Sequence, residues 1–276
     1  MEYVLKNTVD GNRITVKDVQ DVLLKMMKDI DELCKKNNIE YMLTSGTTLG
    51  AIRHKGFIPW DDDLDIAMMR DQYNKFIKVL EEQLSDEYVF HCFEKNKKYD
   101  VTWPAMKIRK KGTYVKEANT LLFNKCTDCD GIFIDIFIYD YMSNSTIIDL
   151  PFRLFNTLLM PVIIFFENLR INPVILKKLF KGNAVLYGKL NRRSKYIGDE
   201  LTWTYRNPLH PYKYKYDHIF PIKHVKFESL MLPVQNNTHE YLINHFGETY
   251  MTPPPENKRM PKHIVDISLN SDKPEK

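Results

Sequence analysis

Residues Gly131 to Tyr139 read Gly-Ile-Phe-Ile-Asp-Ile-Phe-Ile-Tyr, an apolar run whose sole charge is Asp135. A short run of β-branched and aromatic residues predicts a strand buried in a sheet. A carboxylate there is expensive, because desolvating an isolated ion costs several kcal/mol even after the protein relaxes. Asp135 therefore needs a metal ion, a cationic side chain or backbone N–H groups beside it, and another element must bring that partner.

A second acidic segment, Asp61-Asp-Asp-Leu-Asp-Ile-Ala-Met68, offers a reason for such a charge. Read as a strand, alternation puts Asp63 and Asp65 on one face and Leu64 and Ile66 on the other. If this strand lies beside the one carrying Asp135, three carboxylates converge. Their repulsion calls for a cation, and hard oxygen ligands suit one or two Mg²⁺ ions that also bind phosphate oxygens. Taken alone, the same residues fit an acidic turn in which an Asp merely caps.

Upstream, Ile39 to Thr44 predicts a short buried strand running into Ser45-Gly46-Thr47-Thr48 and then a helical segment, Leu49 to His54. A polar, glycine-containing turn before a helix places N–H groups and hydroxyls where a phosphate can sit. Arg53, His54 and Lys55 follow closely enough to add donors; a basic loop in solvent is the plainer reading of them.

Elsewhere, Thr15-x-x-Asp18 has the form of a capping box, and helical spacing of Val19, Leu23, Met26, Met27 and Ile30 carries the helix to about Asn37. Arg70 to Leu84 predicts an amphipathic helix, and weaker strand signals occupy 88–93, 104–109 and 113–115. Residues 150–195 are largely helical by periodicity. The 43% hydrophobic content is enough for a sizeable core. The longest apolar run, Leu158 to Phe166, contains Pro161 and is far short of the roughly 20 residues a spanning helix needs. The first residues lack the pattern of a signal peptide, so the expected location is cytoplasmic.

The net charge of +4 hides an asymmetry: residues 177–226 hold 12 basic and 3 acidic side chains, interleaved with tyrosines. Such a stretch suits a phosphate-bearing or membrane surface, or is a solvated face over packed Tyr rings. Cys126-Thr-Asp-Cys129 has the spacing of half a zinc site. His91-Cys92 would have to complete it, and inert thiols are the default.

Strand, Ser45-Gly46-Thr47, short helix, Asp63-x-Asp65 and a later single Asp together resemble the minimal nucleotidyltransferase fold. The stretch Leu49-Gly-Ala-Ile-Arg-His-Lys-Gly-Phe-Ile-Pro-Trp-Asp-Asp-Asp-Leu-Asp65 is similar to the signature of the LicD family of phosphocholine transferases, to which fukutin-type proteins are related. Gly131 to Phe137 and a late block from Phe227-Glu228 through Tyr250-Met and Pro254-Pro255 to His263 are similar to it as well. Two departures stand out. Ser45 replaces the first glycine of the usual Gly-Gly-Thr, and Ile138-Tyr139-Asp140 replaces Pro-Leu-Asp, which weakens a specific role for Asp140.

The resemblance implies one α+β domain over residues 1–276, a nucleotidyltransferase-like mixed sheet flanked by helices with a mainly helical insertion at about 145–200. It implies that Asp63, Asp65 and Asp135 are catalytic and hold Mg²⁺, with Mn²⁺ as substitute. Ser45, Gly46, Thr47, Arg53, His54, Lys55 and His263 would bind substrate.

The activity implied is transfer of phosphocholine from CDP-choline to a sugar hydroxyl of a cell-surface glycan precursor such as teichoic acid, lipopolysaccharide or capsule. The runner-up is transfer of ribitol or glycerol phosphate from its CDP carrier. A non-catalytic glycan-assembly factor is the rival from another class, although a mere binder has no reason to bear the carboxylates' repulsion. The expected partners are the CDP-alcohol and a lipid-linked or oligosaccharide acceptor. No nucleic acid is expected, and any membrane contact would be peripheral, at the inner face. Choline, a quaternary ammonium, is recognised by aromatic faces; Trp60, Tyr99, Trp103 and Trp203 are the candidates.

Overall fold

The computed structural model describes residues 2–8, 11–102, 104–118, 129–201 and 211–271. At its start, β1 (Val4–Asn7) and β2 (Arg13–Thr15) form an antiparallel pair. Helix α1 (Val16–Lys36) then begins at a capping box, in which the Asp18 carboxylate accepts from the Thr15 N–H at 2.7 Å and the Asp18 N–H donates to the Thr15 hydroxyl at 3.3 Å. Its inner face buries Val19, Leu23, Met26, Met27 and Ile30 in the main core. Each such side chain contributes about 1.5–3 kcal/mol relative to exposure.

The strands that follow build a mixed sheet, seven-stranded among the described residues. Strand β3 (Met42–Leu43) leads into α2 (Ser45–His54), and β4 (Asp65–Met69) into α3 (Arg70–Gln83). After β5 (Tyr88–Cys92), β6 (Met106–Lys110) and β7 (Tyr114–Glu117) comes the long strand β8 (Phe133–Met142). One edge of β8 pairs parallel with β4, which pairs antiparallel with β3. Its other edge is shared, with the first half antiparallel to β6 and the second to β9 (Tyr196–Asp199). Full burial on both faces explains the nearly unbroken apolar sequence of β8.

Between β8 and its neighbour β9 the chain leaves the sheet as two helices, α4 (Thr146–Asn168) and α5 (Val174–Leu190). Strand β10 (Lys213–Lys215) extends the sheet beyond β9, and the short α6 (Tyr216–Ile219) follows. A hairpin of β11 (Lys223–Phe227) and β12 (Leu230–Val234) precedes α7 (Thr238–Phe246). The last strand, β13 (Ile264–Ser268), pairs antiparallel with β7. The observed class is α+β with a mixed sheet, as expected.

Three local expectations need correction. Ser45-Gly46-Thr47 is the first turn of α2 and not a turn ahead of it, because the left-handed Ser45 (φ 47°) ends the strand abruptly. Asp63 precedes the strand, since β4 begins at Asp65. Ile39 to Thr44 yields only the two-residue β3.

Candidate active site

Three neighbouring strands set the centre of the site. The β4–β8 register places Asp65 beside Asp135, and the β8–β6 register places Lys107 on the far side of Asp135. Lys107 Nζ lies 2.7 Å from Asp135 Oδ1 and 3.1 Å from Glu117 Oε2. The Asp135 charge is therefore not uncompensated: the chain itself supplies a buried ammonium. Sequence reasoning passes over Lys107 because Met-Lys-Ile-Arg-Lys looks like a strand with one wet face. Only its pairing with β8 buries it.

The loop before β4 adds three more carboxylates, Asp61, Asp62 and Asp63, with different tasks. Asp62 is buried and accepts from the backbone N–H groups of Lys262, His263 and Ile264, the last at 2.8 Å. It fastens the C-terminal segment over the site. This attachment brings His263 Nε2 to 3.2 Å from Asp63 Oδ2. Asp61, Asp63 and His263 form a cluster whose ligand atoms all lie within 4.8 Å of one another, and among the described residues it is the group with metal-binding geometry. Asp61 is a residue that sequence reasoning treats only as part of an acidic turn.

The first turn of α2 closes one side. Thr47 Oγ1 accepts from the Asp65 N–H at 2.9 Å, and the Ser45 N–H donates to Tyr241 Oη at 2.9 Å. Tyr241 and Tyr139 also reach the Thr44 hydroxyl, at 2.7 and 2.9 Å. A Cβ on Gly46 would stand 3.1 Å from Asp61 Oδ2, so glycine lets the helix start approach the carboxylate. Ser45 and Thr47 thus hold the scaffold with the groups expected to meet phosphate.

Arg53 donates through Nη1 to the Tyr250 carbonyl at 2.8 Å and through Nε to His54 Nε2 at 2.9 Å. Lys55 is exposed and ends α2 in the left-handed conformation.

Burial, together with the neighbouring carboxylates, raises the proton affinity of this cluster. Asp61 and Asp65 are pushed well above the usual carboxylate range, first by burial and then by Asp63. Asp63 is raised by burial, with His263 opposing. Asp135 is raised to about 6 by burial, against the pull of Lys107. Four crowded carboxylates that resist ionising, joined by an imidazole, are what a bound divalent cation would relieve. On that observation the residues fit a metal ion.

A cavity of about 450 Å³ opens beside Asp61, lined by Gly46, Arg53, Trp60, Tyr250 and Lys262 among others. Trp60 carries the Arg259 guanidinium 5.5 Å from its ring centre and meets His54 edge-on. Tyr99 lies elsewhere, buried in a separate cluster with its hydroxyl donating to the Pro104 carbonyl. Trp103, Trp203 and Cys126 fall outside the described residues, while Cys129 is half-buried.

A mixed sheet with carboxylates on adjacent parallel strands, closed by a glycine-bearing helix start, is the architecture of a nucleotidyltransferase-like domain. The model of the LicD/FKTN/FKRP nucleotidyltransferase domain matches residues 38–150. The chain is 30% identical over 285 residues to the lipopolysaccharide cholinephosphotransferase LicD of Haemophilus influenzae, covering 93% of this chain and 99% of that one. An uncharacterized protein of Rickettsia typhi is 43% identical over 79 residues, or 28% of this chain and 26% of its own. The chain belongs to the LicD family of transferases.

Proposed function

We propose that this chain transfers phosphocholine from CDP-choline to a sugar hydroxyl of a cell-surface glycan precursor and releases CMP. The observation that carries the reading is the end-to-end similarity to a cholinephosphotransferase that acts on lipopolysaccharide. The acceptor oxygen forms a bond to the choline-bearing phosphorus while the bridging P–O bond to CMP breaks.

The residues proposed to hold a divalent ion are Asp63, Asp65 and Asp135, with Asp61 and His263 added by proximity. Mg²⁺ is the proposed ion and Mn²⁺ the substitute. When bound, such an ion would neutralise charge on the donor diphosphate.

Arg53 and Lys262 border the cavity next to Asp61 and offer donors to the diphosphate. Trp60 and Tyr250 supply aromatic surface for the base or the trimethylammonium group. Gly46 lets the donor approach the backbone at the start of α2, with Ser45, Thr47, His54 and Lys55 around it. Residues 1–276 act as one catalytic domain, with the helices of 145–200 as an insertion. The acceptor is lipid-linked or a released oligosaccharide, and work on the former takes place at the cytoplasmic face of a membrane.

The test supplies purified protein and Mg²⁺ with CDP-choline, CDP-ribitol or CDP-glycerol and a panel of acceptor glycans, and measures CMP and product mass. CDP-choline should give the highest kcat/KM. A higher value for either polyol donor transfers the assignment to that alcohol.

A further inference from the structure

Helix α4 is amphipathic in the reverse sense. Its inward positions are Asp149, Arg153, Asn156, Ile163 and Glu167, spaced as one helical face. The polar members are bonded within the protein. Asp149 meets Arg153 Nε at 3.0 Å and the Tyr187 hydroxyl. Asn156 Nδ2 donates to the Phe180 and Leu201 carbonyls, at 3.2 and 3.1 Å, and Glu167 pairs with Lys177.

The outward positions are apolar: Ile147 is 85% exposed, Leu158 71% and Phe165 60%. Helix α5, packed against α4, continues the pattern with Ile175 at 74%, Leu190 at 65%, and Leu179 and Leu186 half exposed. Scattered exposed leucines need no explanation, but a stripe along two adjoining helices marks a surface that something apolar covers.

Charge identifies what covers it. Between Tyr141 and Gly198 the acidic residues are Asp149 and Glu167, both buried in ion pairs. The exposed charges of the same segment, Arg170, Lys178, Lys189, Arg192, Arg193 and Lys195, are all basic. A second copy of this face would meet its own charge, whereas an anionic bilayer complements it. Although its longest unbroken apolar run is only Leu158 to Phe166, α4 as a whole is, against the sequence expectation, apolar and long enough to cross a membrane. Its polar inward face is tied to α5 and to Leu201, so the helix lies along the protein and not through a bilayer.

We propose that the α4–α5 hairpin is a membrane-docking face. Its apolar stripe enters the outer part of one leaflet of an anionic bilayer, and its basic residues sit among the headgroups. Gly188 of α5 packs on Asp140, where a Cβ would lie 2.8 Å from Cγ, and Asp140 belongs to β8, the strand that carries Asp135. Docking therefore fixes the orientation of the site to the surface that carries a lipid-linked acceptor. The inference takes its purpose from that acceptor, but it is independent of the donor alcohol.

The experiment is co-sedimentation of the full chain with vesicles of phosphatidylcholine, with and without phosphatidylglycerol. Two variants accompany it, Leu158→Ser with Phe165→Ser, and Lys178, Lys189, Arg192 and Arg193 all changed to Gln. Wild type should pellet with anionic vesicles. The Ser pair should lose roughly tenfold or more of that binding with an unchanged melting temperature, and the Gln variant should lose the preference for anionic lipid. The Gln changes leave the packed interior untouched, so they test the idea even where the Ser pair folds poorly.

Failure of wild type to bind anionic vesicles, or undiminished binding by both variants, overturns the proposal. A soluble dimer that the Ser pair dissociates, with no vesicle binding, assigns the face to a second copy and overturns it equally. Product formation from CDP-choline, measured in parallel with soluble and with lipid-linked acceptors, reads the donor chemistry separately: no product with either acceptor refutes phosphocholine transfer and leaves vesicle binding as it was.

Discussion

Lys107 Nζ stands 2.7 Å from Asp135 Oδ1, across the β6–β8 pair and in register with it. The strand that carries a proposed metal ligand thus has its own cation on the side opposite Asp65. Lys107 is also 3.5 Å from the centre of the Phe133 ring, so the ammonium is held between two carboxylates and an aromatic face. Lys107→Met should leave Asp135 and Glu117 facing each other without it. Removing one partner of a buried pair costs on the order of 3 kcal/mol. The expected outcome is that loss in denaturant unfolding with chelator present, largely restored by Mg²⁺. An unchanged midpoint in chelator means the pair contributes nothing.

Asp65 lies within the field of Asp61, Asp63 and Asp135, and burial already disfavours its charge. Asp65→Asn removes one of four crowded carboxylates without changing volume. The metal-free variant should be as stable as wild type or more so, by on the order of 1 kcal/mol, while turnover falls to background. Asp63→Asn should behave alike. Melting curves in chelator and in Mg²⁺, beside an activity assay, check both. Near-native turnover at saturating Mg²⁺ by either variant removes that residue from the proposed ligands.

The contrast between Asp135 and Lys107 shows which features sequence alone conveys. Asp135 is legible because one charge interrupts a run of Ile and Phe, and local pattern suffices to mark it. Lys107 is not, since its burial comes from pairing with a strand 28 positions later. The same holds for His263, brought to Asp63 by Asp62 across some 200 residues through backbone hydrogen bonds that no spacing rule anticipates. Asp61 looks like a turn residue because its neighbours are acidic too. Helix α4 is readable as a helix, yet periodicity cannot say which stripe faces inward, and here the polar one does.

Gly46 leaves room for the Asp61 carboxylate. Alanine would suit the first turn of a helix better than glycine by roughly 0.5–1 kcal/mol, but its Cβ would press on Asp61 Oδ2 from 3.1 Å. Gly46→Ala should therefore change stability by less than about 1 kcal/mol while displacing Asp61 and narrowing the adjoining cavity. The expected result is a clear fall in kcat/KM and in Mg²⁺ affinity, read by titration of activity and of melting temperature. Full activity in a folded Gly46→Ala protein shows that Asp61 and the backbone beside it are not used.

Asp199 supplies a pH dependence away from the proposed metal ligands. It sits at the end of β9 opposite Tyr139, and burial raises its carboxyl to about 7. Arg153 works against that shift and Glu200 with it. Between the ordinary carboxylate range and pH 7 the folded chain holds a proton that the unfolded chain has released. Proton binding by the folded form means that stability falls as pH rises through this window, by at most about 1.4 kcal/mol per pH unit for one group. Asp199→Asn removes the titration and keeps the shape. The variant should match wild type at pH 4.5 and exceed it at pH 8 by roughly 1–2 kcal/mol, allowing for the partial exposure of the side chain. Urea unfolding of both proteins in chelator at the two pH values isolates the effect, because every other carboxylate titrates in both. An equal difference at both pH values would show that Asp199 ionises normally in the folded chain.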